Sequence, residues 1–355
     1  MFTGLPMVAA AAIFCVAAAA VWIAGVSLSA TTDALERRFG LGEALGGLVI
    51  LSIATNLPEI AITTSAAVSG ELGIAIGNIL GGIAIQTMVL VILDAALHRS
   101  GTPLTHRAAS LVLVLEGALV IAVLIVAMMG HFLPGSLLLW RVGPGELLIV
   151  GIWAVGLWLI DRSRDRLPWH AAGNAPGGQV VERGHATEMR ATGAMAAGRR
   201  GVLLRLVVAS VVTLVAGLAL EQSGERLASG LGLSGVVFGA TVLAASTSLP
   251  EISTGIASVR LGDYQLAVSD IFGGNAFLPV LFSWAGLLSG RAVLPEITSV
   301  DLYLTGLGIL LTVVFVWGLI ARPVRRVGPL GVDSAVALAL YAVGMIGFAT
   351  FAGSL

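Results

Sequence analysis

The sequence predicts an all-α membrane protein whose ten transmembrane helices form two inverted repeats of five. Three observations lead there. The first is composition. Of 355 residues, 57% are hydrophobic and 11% charged, and mean hydropathy is +1.00, whereas a soluble domain carries roughly 25% charged residues. Runs of about 20 apolar residues recur, each long enough to cross a hydrocarbon core of roughly 30 Å, while a β-barrel would show short alternating segments. The second is a duplication at a constant offset of 192 residues. Ala54-Thr55-Asn56-Leu57-Pro58-Glu59 is echoed by Ser246-Thr247-Ser248-Leu249-Pro250-Glu251, and the register holds without a gap from Leu51/Leu243 through Gly70/Gly262, Ala75/Ala267 and Gly81-Gly82/Gly273-Gly274 to Ala84/Ala276. The third is the placement of arginine.

Taken in order, the first apolar run covers residues 6–30. Ser27-Leu28-Ser29-Ala30 resembles a signal-peptide cleavage site, but no basic residue precedes the run and its apolar core is too long, so it is expected to be the first membrane helix. Cys15, the only cysteine, falls within it and has no internal disulfide partner. Further helices are expected at 43–68, 72–97, 108–129 and 144–160. Residues 161–200 are polar, rich in arginine, glycine and proline, and without period, as a linker would be. Five more helices are expected at 202–222, 233–258, 264–288, 300–320 and 330–352. The chain thus divides into a first half (1–160) containing the repeat motif 47–95, the linker 161–200, and a second half (201–355) containing the motif 239–287.

All 19 basic residues are arginine. With the N-terminus outside, 16 of them fall on the inner side, including the eight from Arg162 to Arg205, and only Arg141, Arg226 and Arg291 fall outside. Basic residues favour the cytoplasmic side, so the linker is expected to be cytoplasmic and both termini external. An odd number of helices per half gives the halves opposite orientation, a geometry that brings a shared site to the bilayer midplane and is a signature of secondary transporters. The expected location is an integral membrane position, in the bacterial inner (plasma) membrane. A net charge of -1 gives no case for a nucleic-acid partner; the lipid bilayer and inorganic ions are the expected partners, and a homo-oligomer is left open.

The duplicated motif carries the chemistry. Proline in a helix interior removes one backbone hydrogen bond and clashes with the preceding turn, so Pro58 and Pro250 free the carbonyls of Ala54 and Ser246. In hydrocarbon such groups need protein, water or an ion. Glu59 and Glu251 follow directly. A charge at the bilayer centre costs roughly 2.5–3.5 kcal/mol on insertion scales, and no Arg or His lies within these two apolar runs near that depth. A kink with a snorkelling acid would explain one copy; two copies at equal depth call for bound cations or protons. Two carboxylates with carbonyl and hydroxyl oxygens at Thr55, Thr247, Asn56 and Ser248 make a hard-cation site, and calcium takes 6–8 such oxygens. Transition metals would call for imidazole or thiolate, and His98, His106, His131, His170 and His185 all fall in loops or at helix ends.

The following helix of each repeat carries a second polar row. Asn78, Gly82 and Gln86 share a face, and the matched face reads Asp270, Gly274, Leu278, with Asn275 beside it. Asn78, Gln86, Asp270 and Asn275 are additional candidates. Gly73 and Gly77 read as helix-packing residues. Glu43, Asp94, Glu116 and Glu146 have no counterpart in the other repeat and are not expected to be ligands.

These residues resemble the calcium/cation antiporter superfamily, the membrane part of sodium/calcium exchangers and their prokaryotic relatives. The resemblance rests on the two repeats and the ten-helix layout. It implies that Glu59 and Glu251 bind the transported cation, that Thr55 and Thr247 add ligands, and that helices 1 and 6 slide past the site. No cofactor is implied, only transported calcium or another divalent cation and a sodium or proton counter-ion. The second row departs from the family, which has serine where this chain has Gly82 and Gly274, and Asn or Asp where it has Leu278. Those positions help build sodium sites in the resembling exchangers.

The sequence therefore reads as a secondary active antiporter, not an enzyme. The rival is an intramembrane enzyme using Glu59 and Glu251 as an acid–base pair. Such a pair needs unequal acid strengths, whereas a symmetric duplication predicts near-equal environments.

Overall fold

The computed structural model describes residues 6–39, 52–98, 101–163, 198–232 and 238–352. Most of the 161–200 linker, Glu43, His170, His185 and the beginning of the first repeat motif lie outside these residues.

The chain begins with α1 (Met7–Phe39), α2 (Ser52–Thr55), α3 (Leu57–Ser69), α4 (Leu72–Ala96), α5 (Leu104–Ala108), α6 (Leu111–Gly130) and α7 (Pro144–Ser163). The second half has α8 (Gly198–Leu231), a π-helical turn (Gly239–Leu243), α9 (Ala244–Thr247), α10 (Leu249–Leu261), α11 (Tyr264–Phe277), a 3-10 turn (Leu278–Val280) and α12 (Leu281–Ser289). After another 3-10 turn (Leu294–Glu296) come α13 (Ser299–Ala321), the antiparallel pair β1 (Arg326–Val327) and β2 (Leu330–Gly331), and α14 (Val332–Ala352). Among the described residues, eight helical stretches are long and apolar enough to cross a membrane. The two expected spans missing from that set are the motif segments, each interrupted at its proline motif.

Several boundaries move for identifiable reasons. The helix expected from 108 is two pieces, α5 and α6, and α6 starts where Ser110 accepts the Val112 N–H at 3.2 Å, an N-cap. The span ending at 288 tightens at Leu278–Val280 because Pro279 cannot donate to the Asn275 carbonyl. The expected first and sixth helices are longer than their apolar cores and run on to Phe39 and Leu231.

Burial sorts the helices. The apolar window of α4 is 83% buried and that of α11–α12 67%, against 22–28% for α1, α7, α8 and α14. The repeat helices α4 and α11 are therefore the centre, and the others face lipid on one side. The main apolar core includes Ile79, Ile83, Leu124, Phe272, Phe282, Leu311 and Phe315. A separate cluster of Phe14, Val21, Ile62, Leu220, Phe238 and Leu243 joins α1 and α8 to the motif segments.

Two of the unmatched acids tie the core together by accepting backbone N–H groups. Asp94, at the end of α4, accepts from Leu104 (2.8 Å) and Gly331 (2.5 Å) and pairs with Arg326 at 3.6 Å. Glu146, in the first turn of α7 and buried, accepts from Val293 (2.7 Å) and Leu294 (3.0 Å). Glu146→Ala would leave both buried donors without an acceptor, which costs roughly 2–6 kcal/mol for two groups. The expected result is a clearly lower melting temperature in detergent, followed by intrinsic fluorescence; a variant melting with the parent would show that these contacts contribute little.

Candidate cation site

Each motif segment breaks at the same matched residue. α2 ends at Thr55 and α3 restarts at Leu57, with Asn56 between them at φ -86°, ψ 16°. α9 ends at Thr247 and α10 restarts at Leu249, with Ser248 at φ -78°, ψ 1°. This is the sparsely populated bridge region, and proline in the first turn of each new helix explains it: it tolerates helix initiation but cannot continue the preceding ladder. Both half-helices begin inside the protein, each with its glutamate in the first turn, where the helix dipole favours negative charge.

Glu59 and Glu251 are buried, at 1% and 0% exposure. Thr55, Asn56, Thr247 and Ser248 are buried beside them. The threonines cross between repeats: the Thr247 hydroxyl faces the Glu59 carboxylate and the Thr55 hydroxyl faces that of Glu251. Ser248 donates to the Ala244 carbonyl (2.8 Å) and Ser246 to that of Val242 (2.8 Å). Ser246 is half-buried and its hydroxyl is spent on its own helix, so what it offers is the carbonyl to which Pro250 cannot donate and which the Ser248 N–H reaches from within the break. Ala54 stands at the matched place in α2.

The two glutamates do not share equal environments, contrary to the expectation from symmetry. Gln86 donates from Nε2 to Glu59 Oε1 at 3.4 Å. Its matched residue is Leu278, whose Cδ1 lies 3.9 Å from where a Gly82 Cβ would stand. Neither carboxylate oxygen of Glu251 meets a hydrogen-bond donor of full geometry among the described residues. A Cβ at Gly274 would meet the Asn56 amide nitrogen at 2.9 Å and Gln86 Oε1 at 3.7 Å. Asn56 thus fills space that Gly274 vacates. A departure from the family pattern, Gly274, makes room for Asn56, which stands where the other copy of the motif has Ser248.

The remaining candidates divide. Asp270 is buried, accepts the Thr254 hydroxyl at 2.6 Å, and is near enough to act electrostatically on Glu251. Asn275 donates from Nδ2 to Thr87 on α4 at 3.0 Å, while its buried Oδ1 meets no hydrogen-bond donor among the described residues. Asn78 is fully buried with neither amide atom partnered among the described residues; it stands eight residues from Gln86, about 12 Å along the helix. Two hydroxyls escaped the sequence reading: Thr254, which also donates to the Glu251 carbonyl at 3.2 Å, and Thr63, buried with an unpartnered oxygen. Their signal was spacing, since a residue three or four positions after each glutamate shares its helix face. Of the histidines, His98 is exposed and His106 binds the Arg322 carbonyl, both away from the motif. Glu116 accepts from Ser269 at 3.1 Å.

Glu59 Oε2, both oxygens of Glu251, Gln86 Oε1 and Asn78 Oδ1 are buried polar atoms that meet no hydrogen-bond donor of full geometry among the described residues. Such groups are rare in folded proteins and call for an explanation, an ion among them. Among the described residues no ion pair reaches either glutamate, and no three His, Cys, Asp or Glu converge as a metal cluster. The donor set is therefore two carboxylates with amide, hydroxyl and carbonyl oxygens, which suits a hard cation.

A fold with two broken helices meeting at buried carboxylates is that of a membrane ion carrier, and comparison with known proteins agrees. The sodium/calcium exchanger protein family matches residues 9–160 and 201–350. The chain belongs to that family. It is similar to the inner membrane protein YrbG of Escherichia coli (strain K12), at 27% identity over 297 residues, covering 83% of this chain and 85% of that protein. It is also similar to the putative antiporter CaxA of Alkalimonas amylolytica, at 26% identity over 69% of this chain and 70% of that protein. In fold it matches the sodium-calcium exchanger NCX_Mj with a TM-score of 0.61 at 15% identity, covering 96% of this chain and 99% of that one. The H+/Ca2+ exchanger CAX matches equally well, with a TM-score of 0.61 at 12% identity, covering 96% of this chain and 88% of that one.

Proposed function

We propose that this protein is a secondary active antiporter that exchanges calcium, or another hard divalent cation, for protons or sodium by alternating access. Glu59 and Glu251 hold the cation, with Thr55 and Thr247 and the carbonyls freed by Pro58 and Pro250 completing the shell. The observation that carries this reading is the pair of buried carboxylates: among the described residues three of their four oxygens meet no hydrogen-bond donor of full geometry, and no ion pair reaches either. Two such charges in low dielectric repel unless a cation or protons sit between them. The family supports exchange over enzymatic chemistry. In proteoliposomes, divalent uptake is expected only when an opposing sodium or proton gradient is imposed. Uptake indifferent to both gradients, or release of a product from a lipid or peptide substrate, would overturn the reading.

In this proposal the ten spans form two inverted halves joined by a cytoplasmic linker, so the same site opens to either face. A reporter fused after Arg183 is expected on the cytoplasmic side and one after Leu355 on the external side; both residues lie outside those described. Reporters found on one side would remove the inversion and with it the shared midplane site.

A further inference from the structure

α1 and α8 pack most extensively on each other. Their largest contacts with the rest of the protein form a matched pair. α1 crosses α10, and a Cβ at Gly25 would stand 2.7 Å from Pro250 Cβ and 3.0 Å from Pro250 Cα. α8 crosses α3, and a Cβ at Gly217 would stand 3.1 Å from Pro58 Cα and 3.2 Å from both the Pro58 carbonyl and Ala61 Cβ. Gly25 and Gly217 are themselves 192 residues apart, as are Pro58 and Pro250, and Ala24 and Ala216 repeat beside the glycines. Each glycine of the two-helix pair is thus seated on the proline that precedes a candidate cation ligand, and each half contacts the other half's motif.

Small residues let helix backbones approach closely. Here the close approach falls where the motif helix is broken and its glutamate begins. The obstructing atoms are proline backbone and ring atoms, which cannot rotate aside as the end of a long side chain can. The glycines offer neither a side-chain knob nor a polar group at these two contacts, so movement along the prolines breaks no hydrogen bond there; the bond from Ser65 of α3 to Glu221 of α8, at 3.2 Å, lies one turn farther along α8.

We propose that Gly25 and Gly217 are bearing points at which the α1–α8 pair moves across Pro250 and Pro58 when the site changes the side it faces, and that a single methyl at either position impedes this movement. They are positioning residues that touch no cation. The inference rests on the antiport reading above. Transport by the unaltered protein tests that reading, and the glycine variants test this one.

The experiment compares Gly25→Ala and Gly217→Ala with the parent and with Gly156→Ala. In the last, a Cβ would stand 2.5 Å from Leu119 Cδ1, the flexible end of a side chain on α6 rather than a proline of the motif. Each protein is measured for equilibrium binding of radioactive calcium in detergent and for exchange rate in proteoliposomes. Gly25→Ala and Gly217→Ala are expected to slow exchange by about tenfold or more, as overpacking of an unyielding contact does, with calcium affinity close to that of the parent. Gly156→Ala is expected to keep the parent's rate. Exchange at the parent rate in both glycine variants would overturn the proposal. So would a loss of affinity equal to the loss of rate, which would make the glycines shapers of the site. Failure of both variants to fold would overturn it too, reducing them to packing requirements.

Discussion

Glu59→Gln and Glu251→Gln are each expected to abolish divalent exchange while the protein still folds and inserts. Two carboxylates neutralise one divalent cation. With one removed, the bound ion retains an uncompensated positive charge in a dry site, and an uncompensated charge at the bilayer centre costs roughly 2.5–3.5 kcal/mol. At 1.36 kcal/mol per factor of ten, that is a loss of about 100-fold or more. Folding is expected to survive because the empty protein loses a buried charge rather than a support. The Glu251 oxygens accept no bond of full geometry among the described residues, and the facing Thr55 hydroxyl can donate to an amide oxygen as well as to a carboxylate. At Glu59 the Gln86 contact is already long at 3.4 Å, and the facing Thr247 hydroxyl can donate to an amide oxygen as well as to a carboxylate. Radioactive calcium flux beside a size-exclusion profile in detergent checks both halves of this expectation. Brisk flux from either single variant would mean that the two glutamates do not share one ion.

The motif and its consequences were legible in the sequence because each rested on local chemistry. Pro58 and Pro250 imply helix breaks, and the breaks fall at Asn56 and Ser248, two residues ahead of each. Glu59 and Glu251 stand out because an apolar run has no ordinary use for an acid. Contacts between segments distant in the chain were not legible. Asp94 and Glu146 read as stray acids until the N–H groups of Gly331 and Val293 appeared against them, and no local pattern marks a backbone donor arriving from another loop. The same holds for Asn56 against Gly274 and for Gly25 against Pro250, where the signal is the space a side chain would need. Symmetry also misled: an exact offset in sequence suggested equal surroundings for the glutamates, but Gln86 and Leu278 at matched positions make one side polar and the other apolar.

That asymmetry bears on the counter-ion. An inward divalent flux is expected when a pH gradient is imposed on sodium-free proteoliposomes. Sodium, like calcium, needs several oxygens around it, and the family supplies hydroxyls at the positions of Gly82 and Gly274 and an amide or acid at that of Leu278. On the Gly82 side the nearest side-chain atom to the missing Cβ is a leucine methyl at 3.9 Å, which offers no oxygen. On the Gly274 side the space faces the Asn56 amide nitrogen and Gln86 Oε1, so one oxygen returns from another direction. Asp270 does not stand in for Leu278, since eight helical residues separate them by about 12 Å. One pole of the site thus keeps polar donors and the other has lost them, which leaves fewer places for sodium ions than a fully oxygen-lined site provides. Protons need no such shell: a carboxylate in low dielectric accepts one directly when the cation leaves. Calcium uptake driven by a sodium gradient alone, and unmoved by pH between sodium-free compartments, would show that Gln86 and its neighbours rebuild a sodium site that Gly82, Gly274 and Leu278 do not supply.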